Sequence, residues 1–292
     1  MEKKDVYATV TNMIIAAIEA GVGNWQMPWH TSGSFSESPI NFLSRKPYRG
    51  VNILCLWASA QAKGYTSGEW GTYKQWSEAG AQVRKGEKST AIVFWGFKDG
   101  KKESEDGSES EAGFAYAKVY AVFNAAQVDG YVPRVETVPT VVERIEKADR
   151  WFSNIGADVR HGGNRAYYNP NADYIQMPQI EAFNETVAYY GTLAHELTHW
   201  TGKESRADRK LEKRFGTEAY AAEELIAELG ASFVCSHLGL ETEPREDHAK
   251  YLVHWLKVLK ADKRAIFTAA SQAQKATDYL IAQAERSEVK AA

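Results

Sequence analysis

Two stretches constrain the fold most, "LAHELTHWTG" at 193–202 and "YAAEELIAELGASF" at 220–233. On a helix, positions i and i+4 share a face, so His195 and His199 can aim both imidazoles at one point. Glu196 is offset just enough to reach a water held there. The second stretch repeats the spacing with Glu224 and Glu228, set among Ala227, Gly230 and Ala231. Small residues let another helix approach closely, and carboxylates on such a face need a partner to justify their place. The pair of stretches therefore asks for two helices packed face to face around a divalent cation.

A catalytic zinc site takes three protein ligands and keeps one position open, and it makes water acidic enough for a nearby carboxylate to take its proton. We read His195, His199 and Glu224 as ligands of Zn2+ or another divalent metal, and Glu196 as the catalytic base. Glu228 then stands behind the ligands and holds a histidine ring in the correct tautomer. Glu223 and Glu228 remain alternatives to Glu224, because sequence does not fix the rotation of a helix. A solvated acidic face on a surface helix is the plain competing reading. His237, His248 and His254 miss the short spacing after His199 used by three-histidine zinc proteases, and are read as structural. A transition-state donor stays open among Tyr167, Tyr168, Tyr189 and Tyr220. The arrangement resembles the gluzincin metalloproteases, whose second helix carries Glu-x-x-x-Asp; here Glu228 replaces the Asp and lengthens the arm.

The 292 residues, 44% of them hydrophobic, suffice for two ordinary domains. Apolar spacing at Val10, Met13, Ile14, Ala17 and Ile18 predicts a first helix from Asp5, its cap, to Gly21. "VNILCLWASAQAKG" and "TYKQWSEAG" read as helices ending at glycine. "STAIVFWGF" and "FAYAKVYAVF" read as the strands of a hairpin, joined by the polar "KDGKKESEDGSESEAG". "GYVPRVETVP" is extended and marks a boundary. The predicted domains are 1–130 and 140–292, with 131–139 as linker. The second opens with a helix, "TVVERIEKADRWFSNIG", continues through short strands "RAYYN" and "DYIQMP", and is nearly all helical from Glu185. The expected class is α+β: a mixed α/β first domain, then a mostly helical, gluzincin-like domain with a small antiparallel sheet. Cys55 and Cys235 lie far apart among apolar residues, as buried thiols in a reducing cytoplasm would. Nothing reads as a signal peptide or membrane span, so no membrane partner is expected.

The net charge of -3 hides a local excess: residues 45–102 hold eleven Lys or Arg against four acids. In "SRKPYRGVN", "EWGTYKQW" and "VRKGEKST" cations alternate with aromatic rings. Single-stranded nucleic acid needs that combination, charge along the phosphates and flat faces for the bases. The candidate DNA-binding residues are Arg45, Lys46, Tyr48, Arg49, Trp70, Tyr73, Lys74, Arg84, Lys85 and Lys88. Trp76 is a further ring candidate. Core rings at the edge of solvated helices are the competing explanation.

"RKPYRGVN", "WGTYKQW", "GAQVRKGEKST" and "VFNAAQV", followed by "YYGTLAHELTHWTG" and "YAAEELIAELGASF", make the chain similar to the ArdC-type antirestriction proteins of conjugative plasmids, from about residue 5 to 290. The resemblance implies an N-terminal domain that binds single-stranded DNA without sequence preference and a C-terminal zinc-metallopeptidase fold. It also implies protection of incoming DNA from host restriction enzymes, which become possible protein partners or substrates. Two other functions fit the residues: a single-stranded DNA-binding protein whose metal is structural, and a peptidase with a substrate-recognition domain. A two-metal nuclease would need more carboxylates than these stretches offer.

Overall fold

The computed structural model describes residues 5–21, 27, 29–30, 38–98, 101–103, 109–111, 114–132, 140–209, 218–241 and 248–291. Helix α1 (Val6–Gly21) starts where the Ala8 N–H donates to Asp5 Oδ1 at 3.1 Å, so Asp5 is the cap its sequence suggests. It buries Val10, Ile14 and Ile18. Helix α2 (Val51–Lys63) is apolar almost all round and stops at Gly64, whose φ of 64° is the left-handed value that favours glycine.

Strands β1 (Ile40–Asn41), β2 (Glu69–Thr72), β4 (Thr90–Lys98) and β7 (Phe114–Asn124) form a sheet in the order β1-β2-β7-β4. β1 and β2 run parallel, and the other pairings are antiparallel. β4 and β7 are the two strands expected of the hairpin, in register Thr90↔Val122 to Lys98↔Phe114. The polar connection between them carries a second short pair, β5 (Lys101–Glu103) with β6 (Glu109–Glu111). Helix α3 (Tyr73–Glu78) leaves β2 through a capping box made by Thr72 and Gln75. β3 (Gln82–Val83) and β8 (Val128–Asp129) close this part. Residues 133–139, most of the expected linker, lie outside the described residues, as do 99–100, 104–108 and 112–113 of the polar connection.

The remainder is helical around one small sheet. Helix α4 (Val141–Asn154) opens with a Thr140–Glu143 capping box. β9 (Asp158–His161), β10 (Tyr167–Asn169) and β11 (Tyr174–Met177) form a sheet in the order β10-β11-β9. The β10–β11 pairing is antiparallel as expected, but β9 lies parallel to β11, so the sheet is mixed. β9 escapes a pattern reading because three of its four residues are polar or charged. Helices α5 (Thr186–Thr201), α6 (Glu218–Leu238), α7 (His248–Ala261) and α8 (Ala265–Ala291) follow, with α6 packed on the other three.

One apolar cluster joins both ends of the chain. Ile14 and Ile18 of α1 and Leu54 of α2 pack with Leu225 and Leu229 of α6, Trp255 of α7 and Ile266 of α8. A second cluster gathers α4, α5 and the small sheet on the far end of α6. None of the described helices is long and apolar enough to cross a membrane.

Candidate metal centre and nucleic-acid surface

Helices α5 and α6 meet through small residues. A Cβ built on Gly230 would lie 2.5 Å from Thr198 Cγ2 and 2.6 Å from its Oγ1. Only glycine lets the two backbones come this close, and the approach brings the glutamates of α6 onto the histidines of α5.

Nε2 of His195 and Nε2 of His199 face each other at 3.1 Å. The Glu224 carboxylate spans them, Oε2 at 3.5 Å from His195 Nε2 and Oε1 at 3.5 Å from His199 Nε2. Ligand atoms of these three residues converge within 4.8 Å of one another. Bonds of about 2.0–2.1 Å to a tetrahedral ion set neighbouring ligand atoms about 3.3–3.4 Å apart. The nitrogen–nitrogen edge and each nearest nitrogen–oxygen edge lie within a few tenths of an ångström of that value, the latter to different oxygens of Glu224, so the donor set suits a divalent cation.

Each histidine has a carboxylate behind it. Glu223 Oε1 lies 3.3 Å from His199 Nδ1, and Arg209 holds that carboxylate through Nη2 at 3.0 Å and Nε at 3.2 Å. Glu228 Oε2 lies 3.6 Å from His195 Nδ1, a buried nitrogen with no hydrogen-bond partner of ordinary length. Of the three glutamates left open by sequence, Glu224 therefore faces both Nε2 atoms, while Glu223 and Glu228 back the rings. Burial works to lower the His199 pKa, but Glu223 and Glu224 outweigh it and push it up to about 10. Burial likewise works to raise Glu224, yet the two imidazoles hold its carboxyl far below the usual range. Surroundings that favour an imidazolium this strongly also favour a metal cation.

Glu196 is 4% exposed, and no described residue hydrogen-bonds its carboxylate. Of the four tyrosines left open as donors, Tyr220 lies beside Glu224, with its hydroxyl 3.5 Å from that of Tyr251. Burial is the first cause that raises its pKa, ahead of Tyr251 and Glu224. The others are engaged elsewhere: Tyr189 with His161, Tyr167 with Tyr174, and Tyr168 with Asp173 and Arg206. His237 lies beside Trp151 and His254 on α7, outside the converging triad. The side chain of His248 lies outside the described residues.

The nucleic-acid candidates divide. Trp70 is 1% exposed and Trp76 is fully buried, so neither can offer a face to a base. Pairing of β2 with strands on both sides turns Trp70 inward against Tyr65, and Trp76 stacks on Phe42 at 3.6 Å and donates Nε1–H to the Phe123 carbonyl. Tyr48 is half-buried, and its hydroxyl accepts from Asn41. Arg45 is paired with Glu69, and Arg49 with Asp278 of α8. Lys74 pairs loosely with Glu78 at 3.5 Å on an exposed helix face. Lys46, Lys85 and Lys88 are exposed. Tyr73 is 51% exposed and lines an open groove of about 510 Å³ with Arg84, Lys85 and Phe123. Arg84 there is braced by Glu87 at 3.0 Å and Asp129 at 3.4 Å.

A surface absent from the sequence-based candidates lies on the outer face of the β4–β7 hairpin. Phe94, Tyr116 and Tyr120 are exposed there, with Lys118 over the Tyr120 ring at 4.9 Å and Phe94 edge-on to Tyr120. Cross-strand partners share a face, and Phe94↔Lys118 and Gly96↔Tyr116 are such pairs. A Cβ at Gly96 would meet the Tyr116 ring at 2.5 Å, so the glycine lets that ring lie flat on the strand. The alternation within "AIVFWGF" and "YAKVYAVF" was the available signal.

Comparison with known proteins follows the same division. Residues 4–123 match the family described as the N-terminal domain of anti-restriction factor ArdC, and residues 146–272 match a zincin-like metallopeptidase family. The uncharacterized protein y4eC of Sinorhizobium fredii is 49% identical over 99% of this chain and 96% of its own length. A DNA primase TraC of Escherichia coli is 37% identical over 96% of this chain, which spans 27% of the primase. The metal-free crystal structure of antirestriction ArdC protein from plasmid R388 superposes with a TM-score of 0.79 at 43% identity, covering 97% of this chain and 98% of that one. Its Mn(II)-bound structure gives 0.75, covering 96% and 98%.

Proposed function

The chain belongs to the ArdC-type antirestriction proteins, and from that premise we propose that it binds single-stranded DNA without sequence preference and carries a metal-dependent peptidase centre. In this reading residues 1–130 supply the DNA surface and residues 140–292 the metal centre. Together they protect incoming DNA from host restriction in the cytoplasm during conjugation, with a restriction enzyme or another host protein as the peptide substrate.

The observation that carries the peptidase half is the convergence of His195 Nε2, His199 Nε2 and Glu224, with Glu196 buried next to His195 in the same helix and hydrogen-bonded by no described residue. A divalent ion held there acidifies water and polarises a carbonyl. His195, His199 and Glu224 would hold the ion, and their donor set suits Zn2+ while admitting other divalent metals. Glu196, hydrogen-bonded by no described residue, takes a proton from water and returns it to the leaving amine. The Tyr220 hydroxyl, next to Glu224, is the donor best placed to steady a developing oxyanion.

Two surfaces support the DNA half. Exposed Phe94, Tyr116 and Tyr120 with Lys118 form a row of rings on a rigid strand pair, and Tyr73, Arg84 and Lys85 flank a groove. Bases stack on such rings whatever their sequence, and the cations follow the phosphates. A relative named as a primase also fits a nucleic-acid partner.

Fluorescence anisotropy of a labelled single-stranded oligonucleotide tests the first half. Replacing Phe94 and Tyr120 together by Ala should weaken binding about tenfold or more, at roughly 1–3 kcal/mol per stacked base. Unchanged affinity, or a preference for duplex, would refute it. For the second half, Glu196→Ala should retain the metal and abolish peptide hydrolysis and antirestriction together. Should that variant keep full antirestriction activity, the metal is structural and the DNA-binding reading alone survives.

A further inference from the structure

We infer that His30 is a positioning residue of the metal centre, reaching it from the far end of the chain through Glu228. The inference rests on the reading of His195, His199 and Glu224 as metal ligands.

The Met27 N–H donates to His30 Nδ1 at 3.0 Å. A ring nitrogen that accepts carries no proton, so the His30 proton sits on Nε2. Nε2–H donates to Glu228 Oε1 at 3.2 Å. Occupied on that oxygen, the Glu228 carboxylate turns its other oxygen, Oε2, toward His195 Nδ1, 3.6 Å away. Closing that gap by a few tenths of an ångström completes a hydrogen bond to a nitrogen that otherwise has none. A proton held on His195 Nδ1 leaves Nε2 with its lone pair, and Nε2 is the atom that faces His199 and Glu224. A backbone N–H near residue 30 thus sets the tautomer of a ligand at residue 195.

The second ligand has a matching support. His199 Nδ1 faces Glu223, and Arg209 holds Glu223 from behind. Each imidazole is therefore backed by a carboxylate, and each carboxylate by a donor, Arg209 in one case and His30 in the other. Arg209 comes from just beyond α5, whereas His30 is 198 positions from Glu228. His30 and Glu228 are both buried, so solvent gives neither a ready substitute partner. Trp29, fully buried edge-on to Trp255 of α7, anchors the segment that carries His30.

The test uses the full chain with His30→Phe and His30→Gln, and reads the dissociation constants of Zn(II) and Mn(II) by chelator competition. Loss of such outer partners weakens metal binding about 10- to 100-fold, and His30→Phe should fall in that range. His30→Gln, whose amide keeps an N–H for Glu228, should recover most of the affinity. Imidazole NMR of the metal-free wild-type chain supplies a readout that needs no variant: His30 should be the Nε2–H tautomer and His195 the Nδ1–H tautomer. Either ring in the opposite tautomer overturns the inference, as does a folded His30→Phe chain that binds both ions like the wild type. Equal weakening by Phe and Gln also overturns it, since packing and not the hydrogen bond would then be responsible. A wild-type chain that binds neither ion refutes the metal-site reading itself, a result distinct from these.

Discussion

Gly230→Ala tests whether the close contact of α5 and α6 builds the metal centre. The added methyl would sit 2.5 and 2.6 Å from the γ atoms of Thr198 and 3.1 Å from its Cβ, where ordinary contact begins near 3.4 Å. Thr198 cannot swing aside: it is fully buried, β-branched, and its hydroxyl donates to the Ala194 carbonyl at 2.8 Å. The helices must therefore separate by about 1 Å, at an overpacking cost of about 1–3 kcal/mol. Ala recovers up to about 1 kcal/mol in helix propensity, leaving a net loss of about 2 kcal/mol at the upper end. Near the melting point this corresponds to roughly 3 °C for a chain of this length. Metal affinity should respond more steeply, because Glu224 moves with α6 while both histidines stay on α5. An opening of ~1 Å in the triad should lower affinity at least tenfold. Thr198→Ala in the same chain removes both γ atoms and should restore binding, which makes the pair a double-mutant cycle. Unchanged metal affinity in Gly230→Ala, or no rescue by Thr198→Ala, would refute the account.

Two further outcomes follow from the surroundings of the site. Asp173, in the β10–β11 turn, accepts from Lys203 at 2.6 Å, from Arg206 at 2.6 Å and from the Tyr168 hydroxyl at 2.8 Å, tying the small sheet to the end of α5. Arg206, ahead of Lys203 and Tyr168, holds its carboxyl well below the usual range. A carboxylate depressed in the folded state stabilises above its unfolded pKa of about 4, and the contribution is lost as pH falls below that. Asp173→Asn should therefore cost about 1–2 kcal/mol in denaturant titrations at pH 7, somewhat less at pH 3, and little only once the pH falls through the depressed folded value; a loss that stays the same from pH 7 down to the acid limit of folding would contradict the assignment. Burial raises the thiols of Cys55 and Cys235 to about 12. Both should resist a disulfide reagent at pH 8 in the folded chain and react on unfolding, and prompt labelling of either would show that its helix opens.

The metal helix was legible because a spacing of four on a helix is a local fact. His195, Glu196 and His199 needed nothing from the rest of the fold to be read together. Choosing among Glu223, Glu224 and Glu228 needed the rotation of α6, which distant contacts set: Gly230 against Thr198, and Leu225 and Leu229 against α1, α2 and α7. The roles of Arg209 and His30 had no local signature. In the first part of the chain, rings beside basic residues read as an exposed platform, yet Trp70 and Trp76 are core because β2 is paired on both sides and Phe42 stacks on Trp76. Exposure fell instead to Phe94, Tyr116 and Tyr120. β4 and β7 have nine and eleven residues, while β1 and β2 have two and four. The hairpin therefore runs on past the rest of its sheet, and Phe94, Tyr116 and Tyr120 on its outer face stay exposed among the described residues.

A division of function between the two parts need not be a division of folding. The family matches stop at residue 123 and resume at 146, as a linker between independent domains would suggest. The core disagrees with that simple picture. Ile14, Ile18, Leu54 and Cys55 lie fully buried in the same cluster as Leu225, Leu229, Trp255 and Ile266. Each such side chain is worth about 1.5–3 kcal/mol of burial, and several together exceed the ~5–15 kcal/mol by which a domain is stable. Helix α6 is where the two roles meet, since one side of it carries Leu225 and Leu229 to α1 and α2 while another carries Glu224 and Glu228 to the histidines. On the proposed reading, strain that DNA places on α1, α2 or the hairpin would reach Glu224 through a single packed element, and the coupling would run equally in both directions.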